Sequence, residues 1–427
     1  MNNMNVKLLE LLHNKSTVLF EGGCMSKFFL ERDSIYAKRL LSLLKNKGIN
    51  VHFIITNEDI KSIRTPPEGT LAVVMSQSYT DAAKEKGFSV VGMAANPLET
   101  EFSVPDLHSL YNIINWVFNT YHLPKGEDYE PMHKITTVIL AAGKGTRLGF
   151  DKSKVLYPFC GRTALEIMYA KVQPFSDRII VVPSSDGEKE ICAHLKEKNL
   201  PAEIMVDTQP YGTGGSAAVT LENIKDFETV AIVWGAQIGL PQQALRNLIF
   251  LHQKHNACLS LPTKIRKNPY IHLERNEIGV IQNVLRKRWN NEMPLYGENE
   301  GGFFVFNGGV LRKILGSMNE EYVKNLRLKS RARQGFLNTV ENPSYSLLKQ
   351  GEYMKQEDSR SLKKRELAVT ETEAAEELDL LDIIPLIAAQ NHSVLTSSCI
   401  LDEGKLGFKS KEEAAYHEER IRQGIPY

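Results

Sequence analysis

A chain of 427 residues exceeds the usual size of a single hydrophobic core, so two domains are expected, each with a sizeable core. Hydrophobic content of 42% with 24% charged residues is that of a soluble globular protein, and a formal net charge of +1 gives no long-range pull towards nucleic acid or an anionic membrane. No segment has the apolar length of a membrane span or the make-up of a secretory signal, and five scattered cysteines (Cys24, Cys160, Cys192, Cys258, Cys399) suit neither a disulfide framework nor a zinc site, so a cytoplasmic protein with reduced thiols is expected.

Residues 1–131 alternate short β-branched runs with amphipathic segments, the pattern of a small Rossmann-like parallel α/β domain. Strands are predicted at 17–20, 51–55, 71–74 and 89–92, with helices around 35–45, 80–86 and 106–121. Glu21-Gly22-Gly23 reads as a turn, because no His, Asp or Arg cluster accompanies it, and nothing in this region assigns a role. Two prolines and several charges give residues 123–131 the composition of a linker.

The second domain, 134–427, opens with a strand at 136–140 and continues with strands at 178–182, 203–206, 230–234, 257–261, 303–306 and 393–395, predicting a mixed sheet flanked by helices. Between 318 and 378 the pattern weakens into a charged stretch, read as solvated helices. The first strand of this domain runs into Ala141-Ala142-Gly143-Lys144-Gly145-Thr146-Arg147-Leu148, with Lys154 following. Gly143 and Gly145 lack Cβ, which permits positive φ and lets backbone N–H groups approach a polyphosphate, while Arg147 and Lys154 add fixed positive charge. Two common phosphate loops are excluded. The dinucleotide fingerprint would need glycine where Leu148 stands, and the ATP-type loop would need Ser or Thr where Gly145 stands.

This segment resembles the signature loop of the sugar-nucleotide pyrophosphorylases, or sugar-1-phosphate nucleotidyltransferases: LAAGxGTRL, then a lysine seven residues beyond the arginine. Ser153 departs from it, since proline usually precedes the lysine. The resemblance implies a GT-A-like nucleotidyltransferase domain that moves NMP from an NTP to a phosphorylated acceptor, a sugar 1-phosphate above all, with pyrophosphate released. It gives Ala141, Ala142, Gly143, Gly145 and Thr146 to the nucleotide, Arg147 to the departing pyrophosphate and Lys154 to the reacting phosphates.

Downstream, Gln209-Pro210-Tyr211-Gly212-Thr213-Gly214 resembles the family's base-binding motif, assigning Gln209, Gly212 and Thr213 to the nucleotide. Where relatives place Gly-Asp to hold Mg²⁺, this chain has Gly235-Ala236, and an alanine cannot coordinate a hard cation. Three readings fit Ala236: a natural loss of catalysis, a different metal arrangement, or an alanine introduced into a competent site, which the retained Trp234-Gly235 and Gln237 favour. Asn268 and Glu298 fall where the family holds the sugar phosphate, and Lys409 replaces the second metal ligand, where its ammonium could neutralise the same phosphate. Mg²⁺, an NTP and a phosphorylated acceptor are thus the implied cofactor and partners. Two alternatives remain open, a cytidylyltransferase acting on a non-sugar phosphate or phosphonate and a non-catalytic nucleotide-sugar sensor. A glycosyltransferase would need an Asp-x-Asp that Trp234–Gln237 does not supply.

Overall fold

The computed structural model describes residues 15, 17–21, 31–54, 57–66, 69–93, 100, 102–123, 128–340, 377–399 and 405–424, with backbone alone at 21, 31–34, 54, 57–58, 61, 147 and 327–340. Glu21 is therefore placed only as backbone, and Gly22 and Gly23 lie outside the described residues.

The N-terminal unit is a five-stranded parallel sheet built from β1 (Thr17–Glu21), β2 (Asn50–Ile54), β3 (Thr70–Val74), β4 (Ser89–Met93) and β5 (Phe102–Val104), in the order β2-β1-β3-β4-β5. Strands such as Thr70–Val74 are buried throughout, as a parallel sheet covered on both faces requires. The helix Leu107–Asn119 starts at Asp106, whose carboxylate accepts from the Ser109 N–H at 2.7 Å.

Ten of that helix's thirteen residues are buried, because its second face packs on the other unit. Trp116 Nε1 donates to Thr263 Oγ1 (3.1 Å), Tyr111 Oη to the Arg275 carbonyl (2.8 Å) and Asn112 Nδ2 to the Tyr296 carbonyl (3.1 Å). Ile265 of the second sheet belongs to the same apolar cluster as Val18, Phe20 and Leu110 of the first.

The second unit contains β6 (Ile135–Ala141), the small hairpin β7 (Pro158–Phe159) and β8 (Arg162–Thr163), then β9 (Ser176–Pro183), β10 (Glu203–Ile204), β11 (Thr229–Trp234), β12 (Leu259–Lys267), the hairpin β13 (Ile271–Arg275) and β14 (Ile281–Arg286), β15 (Tyr296–Glu300), β16 (Phe303–Asn307) and β17 (Val394–Ser397). The main sheet runs β10-β9-β6-β11-β16-β12-β15, with β17 beside β12. Strands β10, β9, β6 and β11 are parallel, and β16 joins β11 antiparallel, so the sheet is mixed as the sequence predicts. The strand foreseen at 257–261 extends to Lys267, and β5, β7, β8 and β13–β15 were not foreseen. A helix, Gly308–Val340, enters the charged stretch; 341–376 lies outside the described residues.

Site placement follows from one register. Trp234 of β11 pairs with Leu140 of β6, so the loops leaving both parallel strands emerge together at their carboxyl ends, where open α/β sheets bind ligands. The Gly235 N–H donates to the Leu140 carbonyl at 3.0 Å, and a Cβ on Gly235 would lie 2.8 Å from Val155 Cγ1. Among the described residues, no helix is long and apolar enough to cross a membrane.

Candidate active site

The glycine loop folds back on itself. Lys154 N–H donates to the Gly143 carbonyl (3.1 Å) and Leu148 N–H to the Gly145 carbonyl (2.9 Å), opening a single turn over Thr146–Leu148. Leu148 is then buried with Phe159, Ile238 and Phe408, which anchors the loop to the cleft floor. Ser153, in the usual proline position, donates its hydroxyl to the Ala141 carbonyl at 3.3 Å.

The expected use of positive φ is corrected here. Neither Gly143 nor Gly145 adopts it, whereas Gly149 does, at 61°. Gly145 is needed because a Cβ would stand 2.8 Å from the Phe150 carbonyl oxygen, a constraint internal to the loop. Gly143 faces open space, with no atom within 4 Å of a Cβ built there, so a ligand can approach its backbone.

Two hollows flank the loop. The outer one, about 470 Å³, is lined by Gly143, Gly145, Thr146, Ser153 and Asp186, with the Lys144 ammonium 2.8 Å from the Asp186 carboxylate. That exposed pair lifts the Lys144 pKa and lowers that of Asp186, through their hydrogen bond first and their charges second. Ala141 is the last, fully buried residue of β6. The side chain of Arg147 lies outside the described residues, and only its backbone in the 146–148 turn is placed.

The inner cleft, about 420 Å³, gathers Lys154, Thr213, Ala236 and Lys409 from four separate parts of the chain. The Lys154 ammonium stands 5.0 Å from the centre of the Phe408 ring, and Lys409 5.5 Å from that of Tyr270. Lys409 N–H donates to Glu413 Oε2 at 2.6 Å. Beneath Ala236, the buried Lys171 ammonium donates to the carbonyls of Ile238 (2.5 Å) and Leu240 (2.7 Å), fixing the turn after β11. Burial pushes the Lys171 pKa down to about 7, and the charge of Arg162 adds to that fall.

Other predicted residues are placed elsewhere. Glu298 is held bidentately by Arg275, Nε to Oε2 at 2.6 Å and Nη2 to Oε1 at 2.7 Å, with both side chains buried beneath the helix Leu107–Asn119 and away from the cleft lining. Asn268 occupies a left-handed turn (φ 50°) after β12, and the nearby Tyr270 lines the cleft in its stead. Gln209 is exposed, with its N–H on Asp207 Oδ1 at 3.1 Å.

Gly212 and Gly214 lack Cβ for a reason other than an approaching base: the backbone of Leu378 fills that space. A Cβ on Gly212 would lie 2.4 Å from the Leu378 carbonyl oxygen, and Gly212 adopts φ 121°. Gly214 N–H donates to the Leu378 carbonyl and Leu378 N–H to the Tyr211 carbonyl, both at 2.8 Å. Thr213 Oγ1 donates to Asp379 Oδ1 at 3.0 Å. The strap 377–379 thus lies across the Gly-Thr-Gly turn.

Four cleft residues escaped the sequence reading. Asp379 accepts from Arg288 Nη2 (2.6 Å) and pairs with Arg286 Nε at 3.3 Å, so one carboxylate sets two guanidiniums in the wall. Glu300 accepts from the Gly302 N–H, and its pKa is raised, by burial first and then by the charge of Asp379 against the pull of Arg266 and Lys409. The signal for Arg286 was slight, a charge directly after Val284-Leu285 at the end of the strand IQNVLR; Glu300 stands two positions beyond the residue chosen.

Does this cleft fit the Mg²⁺ that the resemblance implies? Ala236 brings a methyl group and Lys409 an ammonium. Each carboxylate in the lining already has donors: Glu300 the Gly302 N–H, Asp379 two arginines and Thr213, and Glu413 the Lys409 N–H. No three His, Cys, Asp or Glu residues come together as a cation site among the described residues. The side chains do not fit a protein-held Mg²⁺.

Residues 137–291 match the family described as the MobA-like NTP transferase domain. Relatives include the bifunctional protein GlmU of Buchnera aphidicola subsp. Acyrthosiphon pisum (strain Tuc7), 26% identical over 220 residues, or 50% of this chain and 47% of the relative. GlmU of Clostridioides difficile (strain 630) is 29% identical over 189 residues, 43% of this chain and 40% of that protein. The chain thus spans less than half the length of these curated relatives. By its glycine loop, its sheet and this match, the segment 137–291 is a MobA-like NTP transferase domain.

Proposed function

We propose that the protein transfers a nucleotidyl group from an NTP to a phosphorylated small molecule, a sugar 1-phosphate by the resemblance of its motifs, and releases pyrophosphate. The observation that carries this reading is the convergence of Lys154, Thr213 and Lys409 in one cleft beside the glycine loop of an NTP transferase domain. In this reading the triphosphate follows the open backbone at Gly143 from the outer hollow into the cleft, and its reacting centre lies by Lys154.

An acceptor phosphate oxygen attacks the α-phosphorus in line. The new P–O bond forms as the bond to the β-phosphate oxygen breaks, and that electron pair leaves with pyrophosphate. The nucleophile is already an anion, so no proton need be removed, and the protein's work is positioning and charge neutralisation. Lys154 steadies the reacting phosphates, Arg147 the leaving pyrophosphate, and Lys409 the opposite wall. Arg286 and Arg288, set by Asp379, give the acceptor end of the cleft its positive charge.

The test is pyrophosphate release on mixing each of the four common NTPs with a panel of sugar 1-phosphates, phosphocholine and phosphonates. One productive pair is expected, and Lys154→Ala or Arg147→Ala should slow it about tenfold to a few hundredfold, since a charge-assisted contact contributes about 1.5–3 kcal/mol. No release with any pair, or full activity in both variants, defeats the proposal.

A further inference from the structure

We propose that this cleft neutralises the nucleotide's phosphates with side-chain cations, so that NTP binding requires no divalent metal. The inference rests on the nucleotidyltransferase reading above and adds to the three readings of Ala236 a fourth, in which side-chain charge stands in for the metal.

The cleft wall carries four cations, Lys154, Arg286, Arg288 and Lys409, against three carboxylates, Glu300, Asp379 and Glu413. Asp379 is already divided between both arginines and Thr213. Glu300 is recessed onto the Gly302 N–H, and burial raises its pKa.

Ala236 and Lys409 make sense together. An aspartate and a neutral second ligand holding Mg²⁺ would bring a net charge of +1 to the phosphates, and an alanine facing a lysine brings the same +1. Chain geometry joins the two positions: a Cβ on Gly407 would lie 3.1 Å from the Ala236 carbonyl oxygen, so the segment bearing Lys409 packs directly on the turn bearing Ala236. Lys409 is anchored by its N–H on Glu413 and lies over the Tyr270 ring, while Lys154 stands over Phe408, the residue before it. Two ammonium groups therefore stand over aromatic rings of the cleft that Ala236 leaves without a carboxylate at its position, Lys154 over Phe408 and Lys409 over Tyr270.

Calorimetric titration of the full chain with each NTP, in excess EDTA and in excess Mg²⁺, tests this directly. For the NTP that binds, the two dissociation constants should agree within about threefold. Lys409→Ala should weaken binding about tenfold or more in both buffers, Lys409→Arg should restore most of it, and Ala236→Asp should weaken binding in EDTA and make it metal-dependent. A wild-type affinity that falls more than about tenfold in EDTA overturns the inference; if pyrophosphate release persists with Mg²⁺, the proposed function still stands. Binding of no NTP in either buffer overturns both.

Discussion

Replacing Gly212 with alanine probes what the glycines of the Gly-Thr-Gly turn are for. Gly212 sits at φ 121° and ψ 172°, a region closed to side chains, and its Cβ would meet the Leu378 carbonyl oxygen at 2.4 Å. The backbone conformation alone costs about 1–3 kcal/mol in an alanine. Moving Leu378 aside breaks two backbone hydrogen bonds, Gly214 to Leu378 and Leu378 to Tyr211, worth about 1 kcal/mol each. The sum, about 3–5 kcal/mol, is a large part of a typical domain's stability but leaves the chain folded. Hydrogen exchange at the Gly214 and Leu378 amides should accelerate at least about a hundredfold, with a lowered urea midpoint. Gly161→Ala is the control: φ there is 85° but no atom lies within 4 Å of the added carbon, so only the conformational cost remains. Equal effects from the two substitutions would refute the seating of the strap on Gly212.

Two carboxylates in one strand should separate structure from function. Glu298→Gln leaves the buried Arg275 guanidinium without its charge partner and should cost about 3–5 kcal/mol in denaturant titration, while the acceptor KM of whatever folds stays unchanged. Glu300→Gln should do the reverse, altering acceptor KM or kcat with little loss of stability; a changed KM in the Glu298 variant alone would return that residue to the site. Acid should also destabilise the protein through two buried histidines. Burial holds His252 and His272 at about 4 against an ordinary 6.5, so the unfolded chain binds more protons across that window and stability is lost as pH falls through it. Each histidine contributes about 1.4 kcal/mol per pH unit there, measurable as a falling Tm between pH 6.5 and 4; a flat Tm in that range would refute the burial of both rings.

What the sequence disclosed and what it withheld divide along physical lines. Strands β6 and β11 were legible because parallel central strands are continuously apolar, and the glycine loop because glycine, arginine and lysine spacing is a local matter. The short strands β13–β15 were hidden: their burial follows no regular alternation, and β15, YGENE, carries two acids whose environments come from distant residues. Asp379 could not be singled out in the sequence, since its partners Thr213, Arg286 and Arg288 are joined to it only by the fold. The same limit explains Glu298, which stands in a motif-like string but finds Arg275, through tertiary packing, before it can meet any ligand.

The helix Leu107–Asn119 ties the fate of one unit to the other. Its apolar and polar groups serve as filling for both sheets, so neither sheet keeps a closed interior once it is withdrawn. A transferase fragment cut near residue 131 would bare Ile265 and the strand around it as a raw sticky surface, prone to clumping. Heated intact, the chain should show a single calorimetric peak, because the two halves have no independent way to come apart.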